Sequence, residues 1–342
     1  MGALMIKFVL RRIGSSVLVL LGASVITFIL SRVIPSDPAL AYIGPKATLQ
    51  QAANLRNKLG LDQPLPIQYI KYLRDMITGN WGYTISTKQP VLHEILTRLP
   101  ATLELIIVAI VFATVVGIFF GVVAAHNRGR FSDGVIRIMA IAEVSMPAFW
   151  LGLLLQLLFV GRLGWFPATG EFDPELKFIN PIHKITGFPL FDSIITGNFY
   201  ATGNGLKHIV LPALTLSAYS LGLITRMVRA NLLEVLSQDY IKVARAYGIK
   251  ERVVLYRLAL RNALPPIATV IGLSAAYLLT GTFFVEEVFN WPGIGSFATT
   301  SLLNVDYPAI MGVTLLGAVG YLTINLAVDL IQAQLDPRVR AE

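Results

Sequence analysis

Residues 103–125 read LELIIVAIVFATVVGIFFGVVAA, a run in which Glu104 is the single ionisable side chain. A bilayer core demands about 20 consecutive apolar residues from each crossing helix. This run meets that length, and similar runs at 13–33, 138–160, 209–228, 263–284 and 310–331 bring the expected spans to about six. The whole chain agrees: of 342 residues 55% are hydrophobic and only 14% charged, where a soluble domain carries about a quarter charged. The expected fold class is therefore an all-α integral membrane protein.

Glycines 117, 121, 152, 272, 281, 317 and 320 fall inside these runs, as expected of helix contacts where small residues let backbones approach. Pro147 should kink the third span near Ser145 and Met146, because it lacks an N–H and crowds the preceding turn. Residues 1–34 carry Lys7, Arg11 and Arg12 ahead of a long apolar stretch with no small-residue cleavage site, and read as an uncleaved signal anchor.

A net charge of +8 would suit a nucleic-acid binder, but the positions of the charges argue otherwise. Arg128, Arg130 and Arg137 face one acid, Asp133, in one short loop, and Arg226, Arg229, Lys242, Arg245, Lys250, Arg252, Arg257 and Arg261 crowd another. Residues 285–309 have no Lys or Arg, only Glu286, Glu287 and Asp306. Lys and Arg in alternate loops place those loops and both termini in the cytoplasm. Outside the membrane stand two long segments. Residues 35–98 read as a small extracytoplasmic cap with helices at 49–59 and 67–78; residues 163–207, rich in Gly, Pro and aromatics, read as an ordered external loop. The membrane core then runs over 99–342. Without cysteine there is no disulfide framework, thiolate metal site or thiol nucleophile.

The long cytoplasmic loop 231–262 has its own pattern. Leu232, Leu233, Leu236, Tyr240, Val243, Ala244 and Tyr247 recur at helical spacing, Gly248 interrupts, and a second helical stretch follows at 251–262. A glycine there suits a left-handed helix cap and a sharp turn. Small Ala244 and Ala246 beside the bend would let a partner's groove close around it. An amphipathic helix resting on anionic headgroups through its basic residues explains the spacing equally well.

Several stretches carry a resemblance. Asp239-Tyr240-Ile241-Lys242-Val243-Ala244-Arg245-Ala246-Tyr247-Gly248-Ile249, followed by Arg261-Asn262-Ala263-Leu264-Pro265, resembles the "EAA" loop of ABC-importer permeases. More narrowly it is similar to the dipeptide/oligopeptide/nickel branch, where D-Y-x-x-x-A-R-A-x-G and R-N-A-L-x-P are typical. Lys242-Val243 depart from the general Glu-Ala, as they usually do in that branch, while Ala244 and Gly248 match. Phe289-Asn290-Trp291-Pro292-Gly293-Ile294-Gly295 resembles the branch's F-x-W-P-G-[IL]-G, and Asp336-Pro337-Arg338-Val339-Arg340 its terminal D-P-R-[VI]-R. Phe8 to Arg12, Phe28 to Pro35 and the cap are similar to the first of the two unequal permeases in such systems.

The resemblance implies a type I ABC-importer permease fold. It also implies a second homologous permease, two cytosolic ATP-binding subunits, an extracytoplasmic substrate-binding protein, and ATP with magnesium on the partners. It assigns ATPase coupling to Asp239, Tyr240, Ala244, Arg245, Ala246, Gly248 and Ile249. Asn290, Trp291, Pro292 and Gly293 would contact the pathway mouth or the binding protein; read without it, they form an interfacial aromatic turn.

No G-x-x-x-x-G-K-[ST] cradle for phosphates occurs, so neither a catalytic residue nor a bound cofactor is expected on this chain. His93, His126, His183 and His208 are scattered, so no metal is expected either. Arg32, Glu104, Glu143 and Asp329 lie near span ends, where snorkelling or pairing accounts for them. Glu143, beside the Pro147 kink, is the candidate for a pathway or gate position. An ion-gradient-driven carrier would need mid-membrane acids and internal repeats, and an intramembrane enzyme a catalytic pair; the spans offer neither. Among cargoes, peptides come first, then oligosaccharides, with nickel the third choice.

Overall fold

The computed structural model describes residues 2–33, 50, 54, 56 and 62–335. The expected cap helix at 49–59 and the terminal Asp336–Arg340 motif lie largely or wholly outside them. Among the described residues there are no strands, only an isolated antiparallel bridge between Tyr83 and Pro90. The helices are α1 (Gly2–Val33), α2 (Leu65–Ile77), α3 (Val91–His126), α4 (Phe131–Ser145), α5 (Ala148–Arg162), α6 (Leu176–Ile179), α7 (Pro189–Ile195), α8 (Phe199–Leu236), α9 (Asp239–Ala246), α10 (Glu251–Val288), α11 (Ile294–Leu303) and α12 (Tyr307–Leu335).

Five of these, α1, α3, α8, α10 and α12, are long and apolar enough to cross a membrane, and α4 with α5 forms a sixth, bent candidate. Each expected span falls on one of the six. The third differs from its expectation: α4 and α5 meet at 111° rather than forming one kinked helix. Met146 and Pro147 are both extended, with φ/ψ of −87°/132° and −61°/132°. A residue before proline is pushed out of the helical region, and two consecutive extended residues turn a kink into a break. Pro100, Pro212, Pro265 and Pro266, by contrast, sit inside unbroken helices.

The helices also outrun the expected spans. At 38 residues each, α8 and α10 extend about 57 Å at 1.5 Å per residue, nearly twice the hydrocarbon thickness. The loop expected at 231–262 therefore shrinks to 237–250, its flanks being the ends of α8 and α10. The external loop expected at 163–207 likewise ends at Asn198, whose Oδ1 accepts the Ala201 N–H at 3.1 Å and caps α8. On the first segment, α3 begins at Val91 inside the expected cap, and Val91 and Ile95 pack with Phe297 and Ala309 of the core.

Helix α8 is the axis of the bundle, with 78% of its apolar window buried. It packs on α3, α4 and α10. A Cβ on Gly121 of α3 would stand 2.5 Å from Val228 Cβ and 2.9 Å from the Thr225 carbonyl of α8, so only glycine permits that approach. Gly117, Gly152, Gly272 and Gly320 lie in similar contacts, whereas Gly317 faces open space. At the α9 end of the bundle, Asp133 of α4 takes both guanidinium branches of Arg229 of α8, at 2.7 and 2.9 Å, and the Gly129 N–H at 3.0 Å. Helix α1 stands apart. It leans on α12 through Arg12–Asp329 at 3.1 Å and on α2 through Ser24–Tyr69 at 2.8 Å and the Phe28–Tyr69–Tyr72 ring cluster.

The Asp133 side chain is 3% exposed and that of Arg229 21%, so removing one partner leaves the other poorly solvated. Asp133→Ala should cost about 2–3 kcal/mol, read as a lower heat-denaturation midpoint in detergent. Asp133→Ala with Arg229→Ala should recover part of it; a double variant as unstable as the sum of the singles would contradict the pairing.

Candidate functional site

The bundle carries built features at both ends. At one, α9 forms a surface elbow. Its end is a two-bond glycine cap: the Gly248 N–H donates to the Arg245 carbonyl at 2.9 Å, the Ile249 N–H to the Ala244 carbonyl at 3.2 Å, and Gly248 has φ +76°. The glycine turn expected from sequence is thus present. Ile241 is fully buried among Leu232, Val254 and Ala259, and Ala244, 8% exposed, faces the same way. Asp239, Tyr240, Arg245, Ala246, Gly248 and Ile249 are exposed.

Of the candidate coupling residues, Ala244 therefore turns inward and is closed to a partner. Residues two apart on a helix point to opposite sides, so Ala244 and Ala246 cannot share a role. Of the residues read at helical spacing, the resemblance assigns Tyr240 to coupling but not Val243 or Tyr247. Tyr240, Val243 and Tyr247 follow i, i+3, i+7 spacing along the outer face, with Tyr247 84% exposed. An apolar stripe on a polar surface marks an interaction face, and the helical spacing that signalled it was already in the sequence. Arg245 pairs with Glu251 through both guanidinium branches, at 2.8 and 3.2 Å, and that hydrogen bonding raises its pKa further above the ordinary arginine value. Asn262 donates to the Tyr240 hydroxyl at 2.9 Å.

At the other end, the Trp291-Pro292-Gly293 stretch is an internal lock. Trp291 is 1% exposed and its Nε1–H donates to the Ala101 carbonyl of α3 at 2.9 Å. Glu286, buried in the last turn of α10, accepts from Thr102 Oγ1 at 2.7 Å and the Ser296 N–H at 3.1 Å. Thr102 Oγ1 in turn accepts the Ile294 N–H at 2.8 Å. A Cβ on Gly293 would sit 2.4 Å from both Glu286 Oε2 and Thr102 Oγ1, which is why that place requires glycine. Of the four residues expected at the pathway mouth, only Asn290 and Pro292 remain exposed. Glu286 was legible from sequence only as an acid in a cation-free segment, and its burial could not be read there.

The remaining candidates are separate. Glu143 of α4 is half-buried against Gly222 of α8, and its Oε2 is buried with no hydrogen-bond partner. Glu104 accepts the Leu190 and Phe191 N–H groups at 3.3 and 2.9 Å and so caps α7. Residues 163–198 are pinned to α8 by His208, whose ring nitrogens lie 3.0 Å from the Gly170 carbonyl and 3.2 Å from Asp173 Oδ1. A cleft of about 390 Å³ opens beside it, lined by Tyr200, Asn204 and Lys207 among others. Among the described residues no group of three or more His, Asp or Glu could hold a metal ion.

Burial, and then the charge of Glu104, push Glu171 up to about 8 against the opposing pull of Lys184 and Lys177. Between about pH 4.5 and about pH 8 the folded loop thus holds a proton that the unfolded chain has released, and stability must fall as pH rises through that window. Protease nicking of loop 163–198 should accordingly increase from about pH 5 to about pH 8.5, and Glu171→Gln should flatten the profile; an unchanged slope in that variant would exclude Glu171 as its source. Gly293→Ala should also lower the heat-denaturation midpoint, because the new methyl must displace Glu286 or Thr102; a wild-type midpoint would show that the lock has slack.

Two family models match the chain. Residues 117–341 match the binding-protein-dependent transport system inner membrane component, and residues 5–106 its membrane-component amino-terminal model. Among similar proteins are a probable D,D-dipeptide transport system permease of Escherichia coli, 43% identical over 96% of both chains, and a dipeptide transport system permease of Alkalihalophilus pseudofirmus, 39% identical over 98% of this chain and all of the other. A di/tripeptide transport system permease of Pseudomonas aeruginosa is 38% identical over 98% of this chain and 99% of its own. With matches that run through nearly the whole length of a many-helix bundle, the chain belongs to the binding-protein-dependent inner membrane components, the multi-pass permease subunits of ABC importers.

Proposed function

We propose that this chain forms half of the translocation pathway of a di- or oligopeptide importer. The other half is a second homologous permease, two cytosolic subunits bind and hydrolyse ATP with magnesium, and an extracytoplasmic binding protein delivers the cargo. The observation that carries the coupling role is the exposed Tyr240–Val243–Tyr247 stripe on a rigid, glycine-capped elbow. The peptide cargo rests on the dipeptide and di/tripeptide permeases at 38–43% identity. Membership of an ATP-driven family replaces the ion-gradient-driven carrier weighed from sequence.

Orientation follows the cations: Arg128, Arg130, Arg226, Arg252, Arg257 and Arg261 cluster at the α9 end, so that end and both termini face the cytoplasm of a prokaryotic cell. Closure of the ATPases on bound ATP then moves the docked elbow, and the differential contact shifts the bundle between its two accessible states. Exposed Asp239, Tyr240, Arg245, Ala246, Gly248 and Ile249 form the docking face, while inward Ala244 sets the seat of α9. Glu143 lines the pathway, and Asn290 with Pro292 meets the binding protein. Lipid covers the exposed apolar faces of α1 and α3; no nucleic acid is involved.

In proteoliposomes holding the complete transporter and its binding protein, labelled di- and tripeptides should enter on ATP addition. Uptake of an oligosaccharide or nickel in their place would overturn the cargo. Ala246→Trp should weaken ATPase binding by about ten-fold or more, in the range of a lost interface anchor, with the permease still folded. Full assembly and unchanged substrate-stimulated ATP hydrolysis in that variant would remove α9 from the docking face.

A further inference from the structure

The elbow has two polar ties, and both run to the same neighbour. Arg245, in the last turn of α9, meets Glu251 at the start of α10. Tyr240, in the first turn, meets Asn262 three turns further along α10. Early-to-late and late-to-early pairing lays α9 antiparallel along the base of α10. Among the described residues, no side-chain hydrogen bond or ion pair joins α9 to α8; Ile241 alone of α9 enters the apolar cluster that holds Leu232 of α8 with Val254 and Ala259 of α10. The two landing points also bracket residues 254–259, a π-helical stretch inside α10. Such stretches interrupt the ordinary ladder of backbone bonds and are where a helix yields.

We propose that Tyr240–Asn262 and Arg245–Glu251 together form a clamp that makes α9 and α10 one rigid lever, with Asn262 as the positioning residue that keeps the lever from bending at its π-turn. This rests on the docking role of α9 proposed above. The clamp also gives a physical reason for two separate stretches of this sequence, Asp239-Tyr240 and Arg261-Asn262, which meet in space although twenty-two positions separate Tyr240 from Asn262. Force arriving at the elbow from the ATPases is passed into the fifth span. With the Tyr240 tie cut, α9 still docks, because its outer face is unchanged, but part of each stroke is lost in bending at residues 254–259.

The test is substrate carried per ATP hydrolysed, measured on the complete reconstituted transporter. Asn262→Ala should assemble with the ATPases and hydrolyse ATP, yet carry about five-fold less substrate per ATP, the scale of one lost hydrogen bond. Tyr240→Phe combined with Asn262→Ala should be no worse than Asn262→Ala alone. Asn262→Leu, similar in size but without a donor, should repeat the loss while leaving the outer face of α9 untouched. An unchanged ratio in Asn262→Ala or Asn262→Leu, or additive losses in the double variant, would each overturn the clamp. Failure of the unaltered chain to assemble with the ATPases would instead overturn the docking role itself. Should Asn262→Ala not fold, Asn262→Leu decides alone.

Discussion

Where α3 and α8 touch, Gly121 lies against Val228 and the carbonyl of Thr225, with no room for a methyl group. Apolar burial supplies little drive between helices in lipid, so association depends on close van der Waals packing and polar ties. This contact fixes the one helix that is buried along most of its apolar length, and the other elements take their positions from it. The Asp133–Arg229 pair hangs α4 from α8, and Gly222 admits the same helix a few turns away. The far end of α10 is held to α3 through Thr102 and the Trp291 ring.

Acids find partners of two kinds. Asp133 and Asp329 at the cation-rich end take arginine partners, as Glu94 does with Arg98 at the other. At the opposite end, Glu104, Asp192, Glu286 and Asp306 are met by backbone N–H groups and hydroxyls. For Asp192, outside the spans, burial alone would raise the pKa, yet the bonds from Thr186, Ile185 and Gly187 outweigh it and the carboxyl sits below its usual value. Asp306 shows the structural use of this chemistry: it collects the Ile85 and Ser86 N–H groups and that of Ala309, joining the segment before α3 to the start of α12.

Hydropathy located every span because apolar length is a property of local sequence. Helix ends were less legible. Arg and Lys mark where a helix leaves lipid, not where it stops, so residues 231–236 and 251–262 read as short helical stretches of a loop although they continue α8 and α10. Gly248 was readable because a left-handed cap is a local requirement. The facing of Ala244, the burial of Trp291 and the donors around Glu286 were not, since each depends on residues of another helix. Pro147 was readable as a disturbance, but its size was not: the same residue type leaves α8 unbroken at Pro212.

The break between α4 and α5 has a consequence for solvation. Pro147 offers no N–H to the Glu143 carbonyl, and the ladder is interrupted between the Met146 N–H, which still reaches the Ala142 carbonyl, and the Pro147 carbonyl, which accepts the Leu151 N–H. Hydrocarbon cannot hydrate the carbonyls stranded at such a break, and irregular backbone survives at membrane depth only beside protein or water. Ser145, Met146 and Pro147 are exposed in the single chain, so at membrane depth the surface they form calls for protein or water, not acyl chains, as its neighbour.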